Sequence, residues 1–250
     1  MNIRFDGKIV AVSGAGHGLG RTIAHTFADL GAEVHVCDLS AKNLAETKGD
    51  RSIRTTVLDL ADRKAAAKWI HDIEASSGPI YCLVNNAGGV AGQIVKPLEE
   101  VADEDWDRIF AINIGAAMAL SRAAAPGMKK AGKGRIVNIS SGAGLQASLT
   151  GIQAYCSAKH AVVGLTRQLA HELGPFGITV NSVAPGFIRS NPSTEKQWES
   201  YGADGQQALV DRIALKHLGT SQDIANGVLF FASDLAAFVN GQVIQVDGGR

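Results

Sequence analysis

An α/β fold on a seven-stranded, doubly wound parallel sheet is what this sequence predicts, and three observations predict it. Short apolar runs alternate with helical patterns along the chain. Several runs are continuously apolar, as a strand covered on both faces requires. A glycine-rich turn, Ser13-Gly14-Ala15-Gly16-His17-Gly18-Leu19-Gly20, joins the first run to the first helical pattern. Such alternation gives right-handed strand–helix–strand units with helices on both faces and a ligand crevice at the carboxyl ends of the strands.

The first run, Ile9–Val12, precedes the glycine turn and a helical face of Leu19, Ile23, Phe27 and Leu30. Gly14 lets the chain leave the strand with a positive φ, Gly18 removes a Cβ where a phosphate must touch backbone, and Gly20 lets the helix press on the sheet. Free N–H groups and the dipole at the helix start favour an anion. The second run, Val34–Cys37, ends in Asp38. A carboxylate there can accept hydrogen bonds from both ribose hydroxyls and repel a 2′-phosphate, although it could instead cap the next helix, as Ser40 could. The third run, Ile53–Leu58, closes on Asp59-Leu60, and the fourth, Ile80–Val84, on Asn85-Asn86-Ala87-Gly88. Small residues at a strand's end let a flat ring lie on backbone, though such residues also make ordinary turns. Trp106, Ile109, Phe110, Ile112 and Ile114 mark a helix that carries the amide Asn113. The fifth run, Arg135–Ile139, ends in Ser140-Ser141, and Tyr155-Cys156-Ser157-Ala158-Lys159 opens the next helix. The sixth, Ile178–Val183, leads into Pro185-Gly186-Phe187-Ile188, and the seventh is Val243–Val246. Residues 185–212, rich in Ser, Asn, Gln and Gly, have no clear strand and read as a lid at the crevice. With no repeat, linker or low-complexity tract, residues 1–250 read as a single domain.

Lysine plus arginine equals aspartate plus glutamate at 24 each, so no net field recruits nucleic acid or an anionic membrane. Cys37, Cys82 and Cys156 are odd in number and lack a C-x-x-C pair, which fits reduced thiols rather than disulfides or a metal site and points to the cytoplasm. The 13 uncharged residues between Arg108 and Arg122 are too few for a membrane span, and the N-terminus has no long apolar leader segment.

The chemical centre is Ser141, Tyr155 and Lys159. Four residues apart on a helix, Tyr155 and Lys159 share a face. A cation held near the phenol favours phenolate, so the phenol pKa is expected to fall toward the operating pH. Tyr155 then serves as general base in alcohol oxidation and as general acid in carbonyl reduction, with the Ser141 hydroxyl on the substrate oxygen.

The G-x-x-x-G-x-G turn, Asp38, Asn86-Ala87-Gly88, Asn113, Ser141 and Tyr155-x-x-x-Lys159 stand in the order and at about the distances found in the short-chain dehydrogenase/reductase family, which the chain resembles over almost its whole length. The resemblance implies a Rossmann-like domain and a nicotinamide dinucleotide. It implies that Gly14, His17, Gly18, Leu19 and Gly20 cradle the phosphates, and that Asp59, with Leu60, points toward the adenine amino group. Asn86, Ala87 and Gly88 are implied beside the adenosine ribose. The backbone carbonyl of Asn113 is implied to hold a water of the proton relay, and Lys159, next to Tyr155, to bond the nicotinamide ribose. Pro185, Gly186, Ile188 and Ser190 are implied near the carboxamide, with Ser190 standing where the family usually has threonine. His17 is a basic residue of the sort that phosphate-preferring members carry, but Asp38 outweighs it, so NAD is expected over NADP. A homotetramer is implied as well, and Phe230, Phe231, Phe238, Val239, Val243 and Ile244 read as interface or core.

Gln93, Gln146, Gln153, Asn191, Lys196, Gln197 and Trp198 make the expected substrate wall polar, which suits a sugar, a sugar acid or a polyol. The leading expectation is an NAD-dependent alcohol/carbonyl oxidoreductase acting on a small molecule. An NADPH-linked 3-oxoacyl thioester reductase, or a non-catalytic NAD(H) sensor or scaffold, remains open on sequence.

Overall fold

A computed structural model describes residues 3–250. The elements run β1 (Ile9–Ser13), α1 (Gly18–Asp29), β2 (Glu33–Asp38), α2 (Ala41–Lys48), β3 (Ile53–Val57), α3 (Arg63–Ser77), β4 (Cys82–Asn85) and α4 (Asp103–Phe110). A π-helical turn (Ala111–Gly115) then leads into α5 (Ala116–Ala131), β5 (Gly134–Ile139), α6 (Gln153–Leu173), β6 (Ile178–Pro185), α7 (Pro192–Ser200), α8 (Gly202–Asp211), α9 (Ser221–Ala232) and β7 (Val243–Val246).

All seven strands are parallel, in the order β3-β2-β1-β4-β5-β6-β7. The order reverses between β1 and β4, and a crevice opens outside the carboxyl ends at such a switch point. Both faces are covered, which explains the continuous apolar runs. Val10, Val12, Val34, Val36 and Val84 pack on Ile23 and Phe27 of α1 and on Ile224, Val228 and Phe231 of α9. The alternate residues Ala11, Leu83, Ile136 and Val180 pack on Trp69 and Ile70 of α3 and on Leu120 and Met128 of α5. Register locks this arrangement: Val12 lies between Val36 and Val84, and a one-residue slip would exchange the two faces. Truncating Phe27, which has no exposed surface, to alanine costs about 3–5 kcal/mol.

β3 departs from the continuous apolar pattern. It is one of the two edge strands, and beyond Ile53 its residues are exposed, so Arg54, Thr55 and Thr56 meet water. The stretch Asp103–Ala131 is long and apolar enough to cross a membrane, yet α5 spends its apolar face on α3 and the sheet. In the C-terminal segment Phe231 is core, Phe230 is half-buried and Phe238 is fully exposed. Residues 185–212, strandless on sequence, fold into α7 and α8. A capping box starts α7, with the Asn191 side chain accepting from Thr194 N and Thr194 Oγ1 accepting from Asn191 N.

Candidate active site

Along the carboxyl ends runs a cavity of about 940 Å³. Its floor begins at the glycine turn. Gly14 has φ +64°, and a Cβ there would sit 2.7 Å from the Ala87 Cα. A Cβ on Gly20 would run into the Gly14 carbonyl and stand 2.5 Å from Asn86 Nδ2, so helix α1 approaches β1 and β4 this closely only with glycine. His17, the N-cap of α1, makes no capping hydrogen bond, and no acid stands in the first turn, which leaves the helix-start N–H groups to an anion. Carbonyls of the turn are tied away from the cavity. The buried Thr47 hydroxyl donates to Ala15 O at 2.7 Å, and Arg21 donates to Gly16 O and Thr47 Oγ1.

Asp38 closes β2 with both oxygens oriented: Oδ2 accepts from Gly16 N at 2.9 Å and Oδ1 from Ser40 N at 3.1 Å. Ser40 itself caps α2, so the carboxylate is not the cap. Leu39 beside it is exposed in the cavity wall and supplies no charge for a 2′-phosphate. Asp59 lies in the same wall, with Oδ1 accepting from Ala61 N and Oδ2 from Arg108 at 3.2 Å; Leu60 is buried below it. Ala87 and Gly88 also face the cavity. Asn86 lines the cavity with them, and its amide donates to Ser13 O at 3.0 Å and to Gly14 O at 2.9 Å, so it also pins the glycine turn.

Asn113 sits in the π-helical turn, 2% exposed. Its Oδ1 accepts from Gly89 N at 3.0 Å, and its Nδ2 donates to Gly89 O at 2.9 Å and to Ile109 O at 2.8 Å. The amide clamps the strand-end loop onto the helix, and the wide turn is the irregularity that frees backbone there.

Ser141, two residues past β5, and Tyr155, in the first turn of α6, face each other across the cavity, with Lys159 one turn along α6. Lys159 is 4% exposed, donates to Ile139 O at 2.9 Å and places Nζ 5.7 Å from the Tyr155 ring centroid. Here the electrostatics correct the sequence reading. Burial raises the phenol above its ordinary value, with the Ser141 hydroxyl pulling partly back, and burial lowers the Lys159 ammonium to about 8. Desolvation therefore sets the direction for both groups. At neutral pH the arrangement presents a protonated phenol beside a hydroxyl and a cation, a group able to give a proton to a carbonyl oxygen or, once ionised, to take one from an alcohol.

Pro185, Gly186, Ile188 and Ser190 line the cavity above β6. Gly186 N donates to Val246 O, and the Ser190 carbonyl would lie 3.1 Å from a Cβ on Gly18, so the chain leaving β6 reaches back over the glycine turn.

The expected substrate wall is largely corrected. Asn191 and Gln197 line the cavity; Gln93, Gln146, Gln153, Lys196 and Trp198 do not. Gln153 stands two residues before Tyr155, about 200° away around the helix, and donates to Lys96 O at 3.0 Å. Gln93 binds Asp105. The Gln146 carbonyl accepts from the Cys156 thiol, while its side chain stays out of the wall. Trp198 stacks on Phe187 with centroids 6.0 Å apart and Arg189 over its ring. The wall is formed instead by residues such as Val90, Ser148, Leu149, Thr150, Phe187 and Thr194. Arg250 also lines it, a residue that no motif or periodicity singles out. No group of three or more His, Cys, Asp or Glu able to hold a metal occurs among the described residues, and the three cysteines are unpaired.

A family model described as enoyl-(acyl carrier protein) reductase matches residues 14–250. The chain is 34% identical to the 3-oxoacyl-[acyl-carrier-protein] reductase FabG of Thermotoga maritima, covering 99% of each chain. Among solved structures it is similar to a putative NAD(P) dependent gluconate 5-dehydrogenase from Beutenbergia cavernae with bound NADP at low occupancy (36% identity, TM-score 0.88, covering 99% of this chain and 98% of that one). It is likewise similar to levodione reductase (30% identity, TM-score 0.90, covering 98% of each).

Proposed function

The chain belongs to the short-chain dehydrogenase/reductase family, and from that premise we propose that it is an NAD(H)-dependent oxidoreductase interconverting a secondary alcohol and a carbonyl on a polar small molecule. The residues fit the cofactor: a turn that only glycine allows, free helix-start N–H groups above it, and a carboxylate at the end of β2. When bound, the nicotinamide supplies the hydride chemistry. Everything else is this chain's work. In oxidation the ionised Tyr155 oxygen takes the hydroxyl proton, the Ser141 hydroxyl hydrogen-bonds the same substrate oxygen, and Lys159 balances the phenolate; in reduction the phenol returns the proton. Asn113, by holding Gly89 and the π-helical turn, fixes the strand-end loop beside Lys159. Helices α7 and α8 act as a lid: α7 buries no residue and α8 only Leu209, so little apolar surface opposes their movement.

Asp38 carries the choice of cofactor. Both its oxygens are already oriented by backbone N–H groups, and a phosphate charge about 4 Å away would meet a repulsion of roughly 4 kcal/mol near a protein surface. The hydroxyl pair of Ser148 and Thr150 and the Gln197 amide oxygen in the wall support a hydroxyl-bearing substrate. A second reading, an NADPH-dependent 3-oxoacyl thioester reductase, is favoured by the relative named FabG and by the family description. Initial rates with NAD⁺ and NADP⁺ over aldoses, polyols, sugar acids and hydroxyacyl thioesters separate the two. We expect NAD⁺ to be preferred by at least about tenfold, and Asp38→Ala to erase that preference. A strong preference for NADP(H) in the unaltered enzyme would reject the first reading in favour of the second.

A further inference from the structure

We propose that Arg250 is an anion-binding residue of the substrate cavity and that it selects substrates bearing a carboxylate. This rests on the oxidoreductase reading of the same cavity and names the substrate class within it.

The observation is a guanidinium without an acceptor. Arg250 lines the cavity, its Nε is sealed from solvent, and that nitrogen has no hydrogen-bond partner among the described residues. The other guanidinium in the wall, Arg108, is paired with Asp59, and Lys159 is bound to the Ile139 carbonyl. Asp247, the nearest carboxylate in sequence, is occupied, with Oδ1 accepting from Gly249 N at 2.9 Å and Oδ2 from Gln245 Nε2 at 3.1 Å. The Nε is shut off from the cavity as it is from water, so the Nη pair is the part of the planar guanidinium that can meet a carboxylate, in two-point contact.

Position argues that the acceptor belongs to substrate. Val246 pairs with Pro185, which places the end of β7 next to the segment that leaves β6. Gly248 and Gly249, at φ +71° and +82°, then turn the chain, and their carbonyls accept from Leu215 N and Ala214 N. Four strand intervals, about 19 Å at ordinary spacing, separate β7 from β1 and the phosphate-cradling turn. The acidic residues of the cavity wall, Asp38 and Asp59, belong to the far end, after β2 and β3. Among the described residues no acidic side chain lines the cavity at the end where β7 leads to Arg250, which is the charge balance an oxo or hydroxy acid requires.

Matched pairs test this on the enzyme with its cofactor. Gluconate is set against glucitol, and 3-hydroxybutyrate against 1,3-butanediol, in the unaltered enzyme, Arg250→Met and Arg250→Lys. Two readouts are taken: kcat/KM with NAD⁺, and calorimetric binding to the enzyme–NADH complex, which needs no turnover. We expect at least one acid to exceed its neutral partner by about 10- to 100-fold, Arg250→Met to remove that excess through KM and binding, and Arg250→Lys to retain part of it. Rates on the neutral partners and the affinity for NADH should stay within about twofold. Acids and neutral partners treated alike by the unaltered enzyme, or an excess that survives Arg250→Met, overturns the proposal. So does a loss of NADH affinity in Arg250→Met, since the anion would then be the cofactor's. Acid binding that depends on Arg250 without turnover of any alcohol would sink the oxidoreductase reading and leave this one standing.

Discussion

The two ends of the cavity are built differently. At the β1–β2 end the carbonyls and the carboxylate are committed before any ligand arrives, and the helix-start N–H groups of α1 are left free: Thr47 and Arg21 hold the carbonyls of Ala15 and Gly16, Asn86 holds those of Ser13 and Gly14, and Asp38 is held by two backbone N–H groups. At the β6–β7 end, Trp198 packs on Phe187 within the segment that leaves β6, and the Arg250 Nε has no hydrogen-bond partner among the described residues. The first end is shaped to a fixed partner and the second is left to be completed by one. A preorganised site loses little entropy on binding, whereas an adaptable one sets specificity through what it leaves unpaired.

Removing a group from the reacting centre, where the two ends meet, should have the largest effect. Ser141→Ala is expected to lower kcat about 10²–10³-fold while leaving the affinity for NADH unchanged, checked by steady-state rates beside fluorescence titration. An equal loss of NADH affinity would mean that Ser141 belongs to the cofactor end.

The pH dependence is next in size. With the phenol raised by burial, proton donation to a carbonyl is available throughout neutral pH, so kcat/KM for reduction should be level between about pH 6 and 8. It should fall above about 8 as Lys159 loses its charge. Oxidation, which needs phenolate, should rise with pH over the same range, by up to about tenfold per unit. Parallel profiles for the two directions would contradict the assignment of the proton to Tyr155.

The smallest effect should come from Gln153→Leu. Because this side chain reaches the Lys96 carbonyl rather than the cavity, KM for a polyhydroxylated substrate and for a simple alcohol should shift alike, by less than about twofold. A selective loss on the polyhydroxylated substrate would show that the β6–β7 end extends further than the wall described here.

These contrasts follow what could be read in the chain. Where a role depends on backbone geometry or helical spacing, the residues carry it locally. Gly14 and Gly20 are dictated by positive φ and close approach, and the four-residue step from Tyr155 to Lys159 fixes a shared face. All seven strands are legible as largely apolar runs, because two-sided burial leaves few polar positions except on the edge strands. Where a role depends on tertiary placement, the chain is silent. Gln153 and Trp198 look like pocket polarity and are absorbed by neighbours; the π-helical turn at Asn113 has no local signature; and Arg250 follows two glycines with no pattern to mark it. The direction of the phenol's titration is not legible for the same reason, since burial is set by the assembled wall and not by the spacing of two residues.

One variant tests the central claim most directly: Tyr155→Phe, assayed for turnover and for NADH binding in the same preparation. Removing the phenolic oxygen should cost about 10²–10⁴-fold in kcat in both directions while NADH binds as before. A variant that turns over at the unaltered rate would show that the proton travels by another route.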